Sequence, residues 1–216
     1  MPLVRALRDV VLVPGLWMPG MVMGLLAARL ARADYVPHLF AYSGRGPLEA
    51  TIERLARYAC DACSGRPAHF VGHSLGGLLV LETLNRKPDI EVASAVLLAA
   101  PVRGCLAGRR LARAHAGRWM LGASVALWAE ARQARWDLSV PLGIVAGTRP
   151  IGLGRALGPL PGPNDGVVRL EETAVEGMTE QALVPLGHSA LIASGRVARL
   201  VAAFLAAGSF REARAS

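Results

Sequence analysis

One lysine, Lys87, serves the whole 216-residue chain, and aromatic residues make up only 5% of it. Positive charge is carried by arginine instead, and 24 Lys+Arg against 16 Asp+Glu leave a formal charge of +8. The arginines are scattered from Arg5 to Arg214, without a compact basic run or interleaved aromatics, so no nucleic-acid partner is expected. No apolar run approaches the ~18 residues of a membrane span. The stretch from Met21 to Leu30 is broken by Gly24 and Arg29, and the one from Val92 to Val102 is short and contains Pro101. No signal peptide is expected either, because Arg5 and Arg8 precede only the brief apolar run Val10–Val13 and no cleavage site follows. Cysteine is scarce and odd in number. Cys60, Cys63 and Cys105 are therefore read as reduced thiols of a cytoplasmic protein. Cys60-x-x-Cys63 lies in a helical pattern with no second Cys/His pair at ligand spacing, which favours two small helix residues over half a zinc site.

What the chain has in abundance is apolar residues, at 53%. That is enough for one large core, read as a single domain over 1–208 with a frayed tail over 209–216. Short apolar runs at "RDVVLVPG", "YVPHLFAY", "AHFVGH", "VASAVLLAAP", "PLGIVAGT" and "EQALVPLG" read as strands. Between them lie helical patterns: "MVMGLLAARLARAD", "GPLEATIERLARYACDACSG", "LGGLLVLETLNR" and a continuous last helix "SALIASGRVARLVAAFLAAG". Alternation of this kind predicts an α/β fold, a mostly parallel central sheet with helices on both faces. Two stretches stand apart. Residues 104–136 carry Trp119, Trp128 and Trp136 in irregular helical patterns, and Thr148–Gly166 is a Gly- and Pro-rich loop.

Gly72-His73-Ser74-Leu75-Gly76 fits G-x-S-x-G between a predicted strand and a predicted helix, the context a nucleophile elbow requires. Side chains two residues before and after the serine would collide in so sharp a turn, and the helix N-terminus favours negative charge near the hydroxyl. A serine hydroxyl is a poor nucleophile without a base. Of five histidines, His38 lies inside a strand, His69 begins the strand at the far end from the elbow, His73 is expected to point away, and His115 falls in the irregular region. His188 directly follows the last strand, at the sheet end that carries the elbow, and is the candidate base. For the acid that orients it, Asp89 and Asp137 fall at the wrong end of the sheet. Asp165 in "PNDGVV" lies beyond the C-terminal end of its strand, with Glu171 and Glu172 as substitutes.

The order Ser74, Asp165, His188, together with "VLVPGLW", "VGHSLGG", "PNDGVV" and "GHSAL", resembles the α/β-hydrolase superfamily, specifically small bacterial lipases and esterases with minimal or no lid. The likeness spans almost the whole chain. It implies a hydrolase with no metal or organic cofactor, and an oxyanion hole made by the backbone N–H groups of Leu16 and Leu75. Such lipases usually carry His-Gly after the first strand, where this chain has Pro14-Gly15, so the shape of that loop is the point of departure. Trp17, Met18 and Met21 follow the oxyanion residue and are candidates to line an acyl pocket, or simply helix core. The expected substrate is a small-molecule or lipid ester. The rival is an acyl thioester on an acidic acyl carrier protein or on coenzyme A, motivated by the +8 charge, with Arg103, Arg149 and Arg155 as steering residues. A non-catalytic binding member of the fold is a weaker alternative, because all three triad positions are filled.

Overall fold

A computed structural model describes residues 8–16, 20–43, 46–113, 115–121, 134–152 and 158–211. Its frame is a six-stranded, all-parallel sheet of strands β1 (Arg8–Val13), β2 (Tyr35–Leu39), β3 (Ala68–His73), β4 (Val92–Leu98), β5 (Leu142–Gly147) and β6 (Glu180–Val184), ordered β2-β1-β3-β4-β5-β6. The interior strands are apolar almost throughout because both of their faces are covered. Every residue of β3 and β5 is buried. The edge strands β2 and β6 keep polar and half-exposed positions, and Pro37, which has no N–H to give, sits in edge strand β2.

Successive strand residues point to opposite faces, and the core splits accordingly. Phe70, Leu97 and Ile144 pack against helices α2 (Leu48–Cys63) and α3 (Leu75–Arg86) through Ile52, Leu55, Leu78 and Leu81. Val71, Val96 and Val145 face α1 (Gly24–Arg32) and the C-terminal helix through Leu26, Leu30, Val201 and Phe204. The α2 sequence shows why it folds as it does: Ile52, Leu55, Ala56, Ala59 and Cys63 recur at helical spacing and form its buried stripe. Cys60 and Cys63 thus sit on one helix as free thiols, one exposed and one buried.

Two expectations need amendment. The last helix is not continuous. It divides into α6 (Ala190–Ala193) and α7 (Gly195–Ala207) at Ser194, whose backbone is extended (φ −79°, ψ 129°) and whose hydroxyl accepts from Val197 N, so serine acts as a helix start inside an otherwise helical pattern. The tail is not frayed at its beginning. Phe210 is fully buried against Phe204 (ring centroids 4.7 Å), and Phe210 N and Ser209 Oγ both donate to Glu180 Oε2, at 2.7 and 2.9 Å; residues 212–216 lie outside the described residues. The stretch 104–136 contains α4 (Leu106–Leu111) and α5 (His115–Leu121), with Trp119 exposed and Trp136 buried, while Trp128 lies outside the described residues. Among the described residues no helix is long and apolar enough to cross a membrane.

The chain leaves β1 toward β2 on one side and returns to β3 on the other. That reversal is a topological switch point at the C-terminal ends of β1 and β3, the place where open α/β sheets put their ligands.

Candidate active site

β3 runs directly into α3, and Ser74 takes the whole turn. Its backbone is in a region L-residues avoid (φ 52°, ψ −124°), a strain of about 1–3 kcal/mol by general experience with such positions. The surrounding glycines are required by contact. A Cβ on Gly72 would lie 2.5 Å from Gly77 Cα, and one on Gly76 would lie 2.2 Å from the Pro14 carbonyl oxygen. The turn is locked by Ser74 N donating to Leu98 O (2.8 Å) and Gly77 N donating to Ser74 O (3.0 Å). Leu75 opens α3, so its N–H has no acceptor inside the helix.

His188 and Asp165 reach this turn from the loops after β6 and β5. His188 Nε2 lies 2.9 Å from Ser74 Oγ, and His188 Nδ1 lies 2.7 Å from Asp165 Oδ2. A carboxylate only accepts, so Nδ1 carries the proton and Nε2 presents its lone pair to the serine hydroxyl. Asp165 is itself fixed: Oδ1 accepts from Val167 N (2.9 Å) and Val168 N (2.7 Å). Asp165 is 1% exposed and His188 7%, so this pairing takes place out of bulk water. The substitute acids are used elsewhere. Glu172 is buried and accepts from Arg169 N, the Arg169 guanidinium and Leu106 N, while Glu171 is exposed beside Arg169.

Of the remaining histidines, His69 sits at the far end of β3 with Nδ1 2.8 Å from Ser94 Oγ, and His38 bonds Asp9 (2.8 Å). His73 differs from expectation. It does not point away from the site but is fully buried against it, with Nε2 3.2 Å from His188 O and the two rings 4.8 Å apart. Burial, with the neighbouring His188, pushes His73 down to about 3, so it stays neutral. Tyr42 is a second residue with no signal of a role in its sequence context: its hydroxyl donates to Pro14 O (3.1 Å) and so ties down the loop after β1.

Leu16, at the end of that loop, is half-buried. Among the described residues neither the Leu16 nor the Leu75 amide has a hydrogen-bond acceptor. Met21 is 78% exposed, and Trp17 and Met18 lie outside the described residues. Arg149 is exposed, Arg103 donates to Ala174 O (2.8 Å), and Arg155 lies outside the described residues. Asp9, His38 and Cys63 bring possible metal-ligand atoms within 4.8 Å of one another, away from the serine. There Asp9 already accepts from Arg66 Nη2 (2.7 Å) and faces His38, so the guanidinium supplies the cation of that cluster.

A family model described as "Alpha/beta hydrolase family" matches residues 10–150. No curated protein matches the chain. Solved structures do match in fold. A Bacillus licheniformis lipase, BlEst2 in its mature form, superposes with a TM-score of 0.73 at 16% identity, covering 95% of this chain and 93% of that one. A Paleococcus ferrophilus monoacylglycerol lipase gives 0.63 at 17% identity over 93% and 95% of the two chains. An esterase, RhEst1 from Rhodococcus sp. ECU1013, gives 0.65 at 18% over 94% and 91%.

Proposed function

The chain belongs to the alpha/beta hydrolase family, and from that premise we propose that it is a serine carboxylic-ester hydrolase working through an acyl-enzyme on Ser74. The observation that carries this reading is the unbroken line Ser74 Oγ–His188 Nε2 (2.9 Å) and His188 Nδ1–Asp165 Oδ2 (2.7 Å). Lipase and esterase are the names of the solved structures similar in fold, and they give the direction of the substrate class.

In the proposed reaction the Ser74 oxygen attacks the ester carbonyl carbon while His188 Nε2 takes the hydroxyl proton. The charge that develops on the carbonyl oxygen is received by the amides of Leu16 and Leu75; one such donor is worth roughly a hundredfold or more in rate. Collapse of the tetrahedral adduct breaks the bond to the alcohol oxygen, which leaves with the proton from His188. Water then attacks the acyl-serine, giving its proton to the same nitrogen, and Ser74 regains its hydrogen as the acid departs. Asp165 holds the ring in the needed tautomer and stabilises the imidazolium without taking the proton. No step calls for a metal or an organic cofactor. The test is a panel of p-nitrophenyl esters of increasing chain length beside acyl thioesters, with Ser74→Ala as the control. Serine-dependent turnover of esters supports the reading; turnover that survives Ser74→Ala removes it.

A further inference from the structure

The triad is joined twice. Besides the side-chain line, a second set of bonds links the same three segments through the main chain. His188 N donates to Asp165 O (3.0 Å), and His188 O accepts from His73 Nε2 (3.2 Å). His73 is the residue immediately before Ser74. The acid loop, the base loop and the nucleophile turn are thus tied in series, and the last link is one side chain. We propose that His73 is a positioning residue for catalysis, holding the His188 main chain and ring at a fixed distance from Ser74; this rests on the serine-hydrolase reading.

The chemistry of His73 argues for a role beyond filling space. A carbonyl only accepts, so His73 Nε2 must carry the proton, which leaves Nδ1 as a bare acceptor. That Nδ1 is buried and has no hydrogen-bond partner among the described residues. A buried unpaired acceptor is unfavourable, and an apolar ring of similar size would avoid it. What imidazole supplies in exchange is a donor to His188 O and a flat face against the His188 ring, whose centroid lies 4.8 Å away at a tilt of 44°. The site also needs a neighbour that does not titrate. His188 becomes a cation in each half-reaction, and a second cation at this distance would oppose it. Enclosure of His73, 0% exposed, keeps its ring uncharged throughout.

The variants separate these contributions. His73→Phe keeps a ring against His188 and removes the donor; His73→Gln keeps a donor and removes the ring. The expectation for His73→Phe is a kcat about ten- to a hundredfold lower with KM within twofold, the size of loss that a small misplacement of a catalytic group produces. Its melting temperature should change little, since the unpaired Nδ1 is gone but the His188 carbonyl has lost its donor. His73→Gln should recover most of the lost kcat. A readout independent of turnover is the low-field proton resonance of the His188 Nδ1–H bonded to Asp165, which should stay sharp in the wild type and in His73→Gln and broaden in His73→Phe. A His73→Phe protein with wild-type kcat, or with a sharp His188 resonance, overturns the inference while leaving ester hydrolysis in place. Equal losses in Phe and Gln overturn it in favour of packing alone. If the resonance responds as expected but no ester is turned over by the wild type, the proposed function falls and the positioning role stands.

Discussion

Mild acid should destabilise this fold, and His69 offers a place to measure it away from the triad. His69 lies at the start of β3, 9% exposed, with Nδ1 on Ser94 Oγ and the ring edge-on to Tyr35 at 5.5 Å. Burial, with Arg8 nearby, pushes it down to about 4. A histidine with a lowered folded pKa is protonated first in the unfolded chain, where its pKa is about 6.5. Its contribution to stability is therefore intact at neutral pH and is lost as the pH falls from about 6.5 toward the folded value. At pH 5 the unfolded imidazole is almost fully protonated and the folded one is not, which amounts to about 2 kcal/mol lost relative to pH 7. The figure is insensitive to where below pH 5 the folded value lies. His69→Asn, whose amide can still face Ser94 Oγ, removes the titrating group. Urea unfolding at pH 7 and pH 5 should show the wild type losing about 2 kcal/mol more than His69→Asn over that interval. Equal losses in the two proteins would show that His69 takes up no proton on unfolding in this range.

The remaining expectations concern the site. Asp165→Asn should lower kcat by about 10³- to 10⁴-fold with the fold retained, because an amide favours the wrong tautomer of His188; near-normal turnover, with Glu171→Gln or Glu172→Gln inactive, would reassign the acid. Gly76→Ala would place a methyl 2.2 Å from Pro14 O and 2.4 Å from Val13 O, so chemical denaturation should show a loss of about 3 kcal/mol or more; a variant of wild-type stability would contradict the tight turn. Hydrolysis of a small neutral ester should change less than about twofold between low and high salt, and equally little in Arg149→Glu, since an uncharged substrate is not steered by exposed charge. A carrier-borne thioester that outpaces every ester, and slows with both salt and Arg149→Glu, would move the reading to thioester hydrolysis.

The parallel sheet was legible because each interior strand is a short apolar run bounded by turn residues, and the elbow because Gly72, Gly76 and Gly77 punctuate such a run. The candidate base and acid are picked by asking which residues follow a strand's C-terminal end, and His188 lies within hydrogen-bond distance of both Ser74 and Asp165. What the sequence hid were features set by tertiary contact. Ser194 reads as one polar residue inside a helical period, and only its extended backbone and its bond from Val197 N turn it into a helix start. Phe210 falls in a polar tail, yet its own N–H donates to Glu180 on the edge strand and its ring is buried against Phe204. His73 sits at the variable position of a motif, so nothing in its spacing announces a bond to a carbonyl 115 residues away. Tyr42 lies in a loop, and its hold on Pro14 appears only once β1 and β2 are side by side.

The most direct test of the account is to catch the acyl-enzyme. The protein is mixed with a slowly hydrolysed p-nitrophenyl ester, quenched in acid, digested, and weighed peptide by peptide; a fluorophosphonate probe is run in parallel. Catalysis through Ser74 predicts one acyl adduct per chain and one phosphonyl adduct, both on Ser74, and neither in Ser74→Ala or His188→Ala. Adducts on Ser43 or Ser189, or ester turnover with no adduct on Ser74, would contradict it.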